Sequence, residues 1–279
     1  APATTEIYTL PPPDALPICN IALRGKPPAV GIGNGVGAAG VLFYNVTDGS
    51  INSGTGSILL DGYSQTSIGN AIAGLLWWST FPSSFTIQSA NTTANAIEIN
   101  GYSTGTSGQA FGIETEALNT LNVLATGVGG GITVNTGSAS AVNFDTVLRG
   151  PTNILADSGS IDLRGGQLGG AGNGRLFLAN NLFLGSKASS AITASSSDLL
   201  VEFDRYDFQN SSAPYFATTG AVTLRPSSAS FGAGLTTSLF AWNQNSQTMT
   251  GLTIGKDGNT ANLNVNTAFP VAGPISVYG

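Results

Sequence analysis

The sequence has no histidine and a single cysteine in 279 residues. One cysteine excludes a disulfide scaffold and a zinc site built on thiolates. Without histidine, most other transition-metal sites are excluded as well. Scarce thiols are typical of proteins exported in an unfolded form, where free thiols would be oxidised. We therefore expect no metal and no cofactor.

Charged side chains are also scarce, with nine basic and 15 acidic residues and a net charge of −6. Phosphate binding requires clustered lysine and arginine, and the nine basic residues are spread along the chain. The same shortage disfavours an anionic membrane surface. The composition therefore predicts no nucleic-acid partner.

Long hydrophobic runs are missing too. The longest apolar run covers residues 71–81, whereas a transmembrane helix needs about 20 residues. The start of the chain lacks the basic, apolar and small-residue pattern of a secretory signal peptide. We therefore expect no membrane span and, if the protein is exported, an internal fragment of a larger chain.

Glycine is abundant, with 38 residues, and 41% of the chain is hydrophobic. From about Val30 onward, short segments of alternating apolar residues are separated by small and polar residues, which is the pattern of β-strands. The best helix candidates are the short segments 67–78 and 115–120. The predicted strands are segments 41–46, 57–60, 84–87, 96–99, 121–124, 132–134, 161–163, 176–178, 200–203, 221–224, 252–254, 263–265 and 275–277.

Part of the sequence repeats. Segment 60–64 is similar to segment 99–103, and 163–165 shares the pattern of an aliphatic residue, a polar residue and glycine. The three glycines, Gly62, Gly101 and Gly165, are 39 (101 − 62) and 64 (165 − 101) residues apart. These offsets are close to two and three multiples of about 20, the coil length of many β-solenoids. Stacked coils are therefore predicted.

The predicted fold is all-β, a parallel β-solenoid over residues 21–279. Each segment offers about three inward positions, too few to bury an apolar face alone, and stacking makes one continuous core. Short strands separated by frequent turns are also consistent with a β-sandwich, which is the alternative.

The amino-terminal segment has a different character. Residues 6–18 resemble the peptide EIYTLSLHDALPI, which arises when sequencing-adapter DNA is translated, with three prolines in place of Ser-Leu-His. The other interpretation is a proline-rich linker. We expect residues 1–20 to be a non-native or linker segment and leave them out of the fold prediction.

Segments 252–266 and 271–279, with the repeated strand pattern before them, resemble the repeat regions of filamentous-haemagglutinin-like and autotransporter-passenger adhesins. The resemblance covers most of residues 30–279. It implies a right-handed parallel β-helix, export across the outer membrane, a location on the bacterial cell surface, and adhesion or biofilm roles. The Asn-Pro-Asn-Gly motif of two-partner secretion domains does not occur in the chain.

The densest ionisable cluster contains Asp198, Glu202, Asp204, Arg205 and Asp207. On a strand, Glu202, Asp204 and Tyr206 would share the outer face. Carboxylates two residues apart are about 6.5–7 Å apart at the backbone, within the range of paired glycosidase acids.

The alternative function is therefore a polysaccharide hydrolase or lyase with Glu202 and Asp204 as the acid–base pair; a calcium site is a further possibility. Such enzymes usually add a histidine, or a basic residue with calcium, and only Arg205 is near. We expect no catalysis.

Aromatic residues offer a possible binding surface. Trp77, Trp78 and Trp242, with Phe81 and Tyr206, could stack on sugar rings. Adjacent tryptophans on a strand point to opposite faces, so at most one of Trp77 and Trp78 can lie in the core. The favoured interpretation is that these side chains cover an open edge or an insertion.

Outward polar residues complete the predicted surface. Thr133, Asn135, Thr253 and Asn264 could form ladders that bind glycan, or they could only solvate the strands. We expect a structural or adhesive segment of a secreted bacterial surface protein. It would act as a rod-like spacer whose partners are glycans or the surface proteins of host or neighbouring cells.

Overall fold

Stacked parallel strands make up the structure, a computed structural model that describes residues 19–26, 39–65, 72–105, 110–139, 144–167, 174–242 and 247–279. Of the expected non-native or linker segment, only the last two residues are described. One helix occurs in the described residues, the 3-10 helix η1 (Thr237–Leu239), and none is long and apolar enough to cross a membrane. In chain order the strands are β1 (Ile21–Gly25), β2 (Val41–Tyr44), β3 (Gly49–Asn52), β4 (Ile58–Ser64), β5 (Ile72–Trp78), β6 (Ser83–Ser89), β7 (Ile97–Ser103), β8 (Ala110–Thr115), β9 (Asn119–Ala125), β10 (Ile132–Ser138), β11 (Thr146–Leu148), β12 (Thr152–Ala156), β13 (Ile161–Arg164), β14 (Arg175–Leu178), β15 (Leu182–Gly185), β16 (Leu199–Glu202), β17 (Arg205–Phe208), β18 (Pro214–Ala217), β19 (Ala221–Arg225), β20 (Leu235–Thr236), β21 (Gly251–Ile254), β22 (Leu263–Asn264) and β23 (Ile275–Val277).

The strands form three long parallel sheets. Sheet A has the order β1-β4-β7-β10-β13-β16-β19-β21-β23, sheet B has β17-β14-β11-β8-β5-β2, and sheet C has β18-β15-β12-β9-β6-β3. Up to β18, every strand pairs with the strand three places along the chain, so each coil adds one strand to each sheet. Strands β20 and β22 form a small fourth sheet. The predicted β-solenoid is confirmed, and the sandwich alternative is wrong because a sandwich is built from antiparallel sheets.

The coils are longer than the predicted 20 residues. Ile58 pairs with Ile97, a coil of 39 residues (97 − 58), and Leu199 pairs with Val222, a coil of 23 (222 − 199). Gly62 and Gly101 are direct neighbours on β4 and β7, so their offset of 39 is one coil rather than two. The prediction was too short because each coil carries three strands and three corners.

The described residues of the two helix candidates are not helical. Residues 72–78 of the first candidate form β5, and in the second a turn after Thr115 leads directly into β9. In β5, Leu75 and Trp77 belong to the interior cluster, whereas Leu76 packs in a separate cluster. Because β5 has apolar residues on both faces, its sequence does not alternate between apolar and polar residues, and it was therefore not recognised as a strand.

The interior of sheet A is lined by two aliphatic ladders. Within each ladder, an aliphatic residue on one strand pairs in register with an aliphatic residue on the next strand of the sheet. The first ladder consists of Ile21, Ile58, Ile97, Ile132, Ile161, Leu199, Val222, Leu252 and Ile275. The second consists of Leu23, Leu60, Ile99, Val134, Leu163, Val201, Leu224, Ile254 and Val277. Stacking these residues buries the apolar face that no single coil could bury.

Glycine is required where sheets A and B meet. A Cβ atom on Gly62 would lie 2.1 Å from the carbonyl oxygen of Gly74, and one on Gly74 would lie 2.2 Å from the backbone nitrogen of Tyr102. Gly62 and Gly101 are therefore glycines of close backbone approach, which explains the repeated sequence pattern.

Candidate functional site

Glu202 is the last residue of β16 and is 9% exposed. Its Oε2 accepts a hydrogen bond from Nε of Arg225 at 2.5 Å, and Arg225 is its direct partner on β19. The carboxylate is thus part of a cross-strand ion pair on sheet A.

Asp204 is buried, with 2% exposure, in the corner between β16 and β17. Its Oδ1 accepts hydrogen bonds from the backbone N–H (2.8 Å) and hydroxyl (2.9 Å) of Ser228. Its Oδ2 accepts one from the N–H of Gly174 (3.2 Å). The carboxylate therefore ties corners of three successive coils together.

The expectation that Glu202, Asp204 and Tyr206 share an outer face is wrong. The chain turns from sheet A to sheet B at Asp204, so the alternation of a single strand does not continue through it. Tyr206 packs on the interior cluster, with its ring 5.4 Å from that of Phe240. Burial raises the pKa of its hydroxyl well above the usual value.

Asp198 and Asp207, from the same cluster, have separate partners. Oδ1 of Asp198 accepts a hydrogen bond from the N–H of Ala221 (2.8 Å), and Asp207 forms an ion pair with Arg175 (3.3 Å). Across the described ranges, no three histidine, cysteine, aspartate or glutamate side chains are placed to hold a metal ion.

Trp77 and Trp242 lie inside the solenoid, 2% and 4% exposed. The Trp77 ring stacks on Phe43 at 5.1 Å, and Nε1 of Trp242 donates a hydrogen bond to the carbonyl oxygen of Thr237 at 2.7 Å. Neither ring offers an exposed face to a ligand. Trp242 packs at 4.9 Å on Phe216 of β18, the terminal strand of sheet C, so it lies at a sheet edge as the sequence suggested. The prediction that at most one of the adjacent tryptophans lies in the core is confirmed, since Trp78 is only half-buried.

Trp78 lies on the outer face of sheet B, next to exposed neighbours. It pairs in register with Tyr44, and the two rings are 6.0 Å apart at 82°. Tyr44 is 54% exposed and Leu42, on the same strand, is 41% exposed. We name these three residues the Tyr44–Trp78 patch. Phe81 is half-buried in the corner that follows.

Farther along sheet B, the outer face carries an ion pair between a buried carboxylate and a partly exposed arginine. Oε1 of Glu114, a residue 1% exposed, accepts hydrogen bonds from Nη2 (3.0 Å) and Nε (3.2 Å) of Arg149. Its Oε2 has no hydrogen-bond partner in the described structure. Burial raises the pKa of Glu114 to about 7, and the nearby Arg149 guanidinium only partly offsets that rise.

A matching arrangement continues toward β17. The Arg149 guanidinium lies 5.9 Å from the Phe177 ring, which contacts Phe144 at 5.1 Å. The Arg175 guanidinium lies 4.4 Å from Phe144 and is paired with Asp207. Each arginine thus lies against one carboxylate and one aromatic face. The sequence analysis missed these ion pairs because the two partners lie on neighbouring coils. Glu114 and Arg149 are 35 (149 − 114) residues apart, so their pairing could have been predicted only if the coil length had been known.

The predicted polar ladders are outward-facing. Thr133, Asn135 and Thr253 are half-buried on the outer face of sheet A, and Asn264 is exposed. Nδ2 of Asn135 donates a hydrogen bond to Oδ1 of Asn100 at 2.9 Å, so neighbouring rungs are linked on this face.

The outer face of sheet C combines amides with an aromatic pair. Nδ2 of Asn153 donates to Oδ1 of Asn122 (2.7 Å), and Nζ of Lys187 donates to Oδ1 of Asn153 (3.1 Å). The Phe183 and Tyr215 rings stack at 4.7 Å and 16°, and Lys187 lies 4.5 Å from the Phe183 centroid. The ring faces of Phe183 are thus occupied within the molecule.

Comparison of the chain with protein-family models, curated proteins and solved structures finds no match in any of the three.

Proposed function

We propose that this chain is a rod-like segment of a secreted bacterial surface protein, located outside the cell, which holds a glycan-binding surface away from the cell. The observation that carries the proposal is the Tyr44–Trp78 patch, in which the exposed Tyr44 ring lies beside the half-buried Trp78 ring on the outer face of sheet B. Aromatic side chains give sugar rings a large contact area at a low entropic cost.

The rod geometry supports the spacer role. Nine strands of sheet A, spaced about 4.8 Å apart, span about 38 Å. Neighbouring rungs are linked by backbone hydrogen bonds and by side-chain ladders, so the coils form a continuous stack. The segment would serve adhesion or biofilm formation by linking cells to glycans or to surface proteins of other cells.

The acid–base hypothesis has less support in the geometry. The Asp204 carboxylate already accepts hydrogen bonds from two backbone N–H groups and one hydroxyl. Glu202 forms an ion pair with Arg225. A polysaccharide panel tests this alternative directly: cleavage by the unmodified chain that is lost in Glu202→Gln would contradict the spacer proposal and favour a hydrolase or lyase.

Binding is tested by the retention of the purified chain on a panel of immobilised glycans. We expect Trp78→Ala and Tyr44→Ala each to weaken retention at least tenfold, because each removes half of the aromatic surface. Tyr63→Ala, a half-buried tyrosine on the outer face of sheet A, is the matched control and should bind like the unmodified chain. Absence of retention on every glycan, or equal loss in Tyr63→Ala, would overturn the assignment of this patch.

A further inference from the structure

A carboxylate lies beside Trp78 on the next coil of the stack. The backbone N–H of Glu116 donates a hydrogen bond to the carbonyl oxygen of Trp77 at 3.0 Å, which continues the pairing of β5 with β8 and places Glu116 next to Trp78. The carbonyl oxygen of Glu116 accepts a hydrogen bond from the N–H of Asn119 at 3.0 Å. Neighbouring strands are about 4.8 Å apart. The half-buried Glu116 is therefore held one rung from the Trp78 position.

The Glu116 carboxylate has no partner of its own. Arg149 lies on the following rung, because its N–H donates to the carbonyl oxygen of Thr115 at 3.1 Å. Its guanidinium, however, pairs with Glu114, and Glu116 forms no ion pair with any residue that the structure describes. The charge of Glu116 is close enough to Glu114 to raise the pKa of that carboxyl group. This part of sheet B therefore presents a carboxylate that a cation from outside can neutralise.

Aromatic rings beside such a carboxylate favour a positively charged ligand. An ammonium group is attracted both to the negative face of a tryptophan or tyrosine ring and to a carboxylate. An acidic sugar would be repelled by Glu116, and Arg149 is already neutralised by Glu114. The net charge of the chain, −6, attracts cations at longer range as well.

We propose that the glycan bound at the Tyr44–Trp78 patch is a polymer of amino sugars with free, protonated amines. This inference rests on the proposed function and names the ligand class of the same site. A sugar ring packs on Trp78 and Tyr44, and an ammonium group of the polymer lies against the Glu116 carboxylate. Acetylation of the amine removes the charge and keeps the ring, so an acetylated polymer retains only the aromatic contact.

Retention on two matched oligosaccharides tests the role of the charge. The purified chain is passed at pH 6 over an immobilised glucosamine hexamer, whose amines are protonated, and over the N-acetylglucosamine hexamer. We expect the unmodified chain to be retained about three- to fivefold more strongly by the free amine, the scale of one exposed ion pair. Glu116→Gln should remove this preference and leave retention on the acetylated hexamer unchanged, which also shows that the variant is folded. Trp78→Ala should weaken retention on both hexamers.

Glu98→Gln is the matched control, because Glu98 is a half-buried glutamate on the outer face of sheet A. Both glutamine variants remove one negative charge, so a difference between them does not come from the net charge. Glu98→Gln should keep the preference for the free amine, and Glu116→Lys should reverse it.

The outcomes separate this inference from the function on which it rests. Equal retention of the two hexamers by the unmodified chain, stronger retention on a uronic-acid oligosaccharide, or equal effects of Glu116→Gln and Glu98→Gln would overturn the amino-sugar assignment. Each of these results would leave glycan binding at the patch standing. Absence of retention on every glycan would overturn both.

Discussion

Two buried aspartates organise the corners between sheets A and B. Asp145 is 1% exposed and accepts hydrogen bonds from the backbone N–H groups of Ser138 (2.6 Å) and Gly166 (2.7 Å). Asp204 has the corresponding role two coils later, where it binds Gly174 and Ser228. These carboxylates replace backbone partners that the corner loops lack, so their role in the structure is to hold the corners in place.

Replacing Asp204 with Asn should therefore cost stability. The amide retains one acceptor and presents a donor to a backbone N–H, which leaves a buried donor unpaired. We expect Asp204→Asn to lower the free energy of unfolding by about 1–3 kcal/mol, measured by urea denaturation. Asp257→Asn, at an exposed turn, should change it by less than about 0.5 kcal/mol. Unchanged stability in Asp204→Asn would contradict this structural role.

Two buried carboxyl groups should make stability depend on pH. Burial raises the pKa of Asp145 and of Glu114 to about 7, from 3.8 and 4.5. Because the folded-state pKa is the higher one, the stabilisation is full below the unfolded-state values and is lost as the pH rises through about 7. We expect a higher free energy of unfolding at pH 5 than at pH 8.

Glu114→Gln should reduce that difference, since the amide cannot ionise. The measurement is urea unfolding of the variant at both pH values, with Glu98→Gln on the outer face of sheet A as the matched control. A pH dependence in Glu114→Gln equal to that of the unmodified chain would show that this carboxyl group does not contribute.

At the scale of the element, alternation identified strands with one buried and one outer face. Strand β7 has that pattern, and all 13 predicted segments contain or overlap a strand. Strands β8 and β12 were missed because every residue in them is buried, which removes the alternation. The outer face of β12 is covered by a later part of the chain, because Ile192 packs on Leu155 and on Leu124 of the neighbouring β9.

The glycines at the junction of sheets A and B predict how stability changes when a side chain is added there. A Cβ at residue 74 would meet backbone atoms of three other strands at 2.2–2.7 Å. We expect Gly74→Ala to lower the free energy of unfolding by about 1–3 kcal/mol, because the backbone must move. Gly251→Ala, where the nearest atom is 3.7 Å away, should be tolerated. Thermal or urea unfolding of the two variants checks this; equal stability would show that the sheets can separate at little cost.

At the scale of the whole molecule, coil stacking makes stability depend on the number of neighbours. A coil inside the rod contacts two others, and a terminal coil contacts one. We expect amide hydrogen exchange, followed by mass spectrometry in dilute solution, to be slowest in β7 and β10 and fastest in β1 and β23. Equal protection along the rod would contradict this.

The sequence by itself determined the all-β class, most of the strands and the opposite orientations of Trp77 and Trp78, because these depend on a side-chain period of two along one strand. Only the tertiary structure decided the coil length, the burial of Asp204 and Trp242, and the pairing of Glu114 with Arg149. Those features depend on which strand lies above which, and that is set by corners of varying length that make coils of 23 to 39 residues. A local pattern carries no information about a partner one coil away, so the outer surfaces emerge only when the coils are stacked.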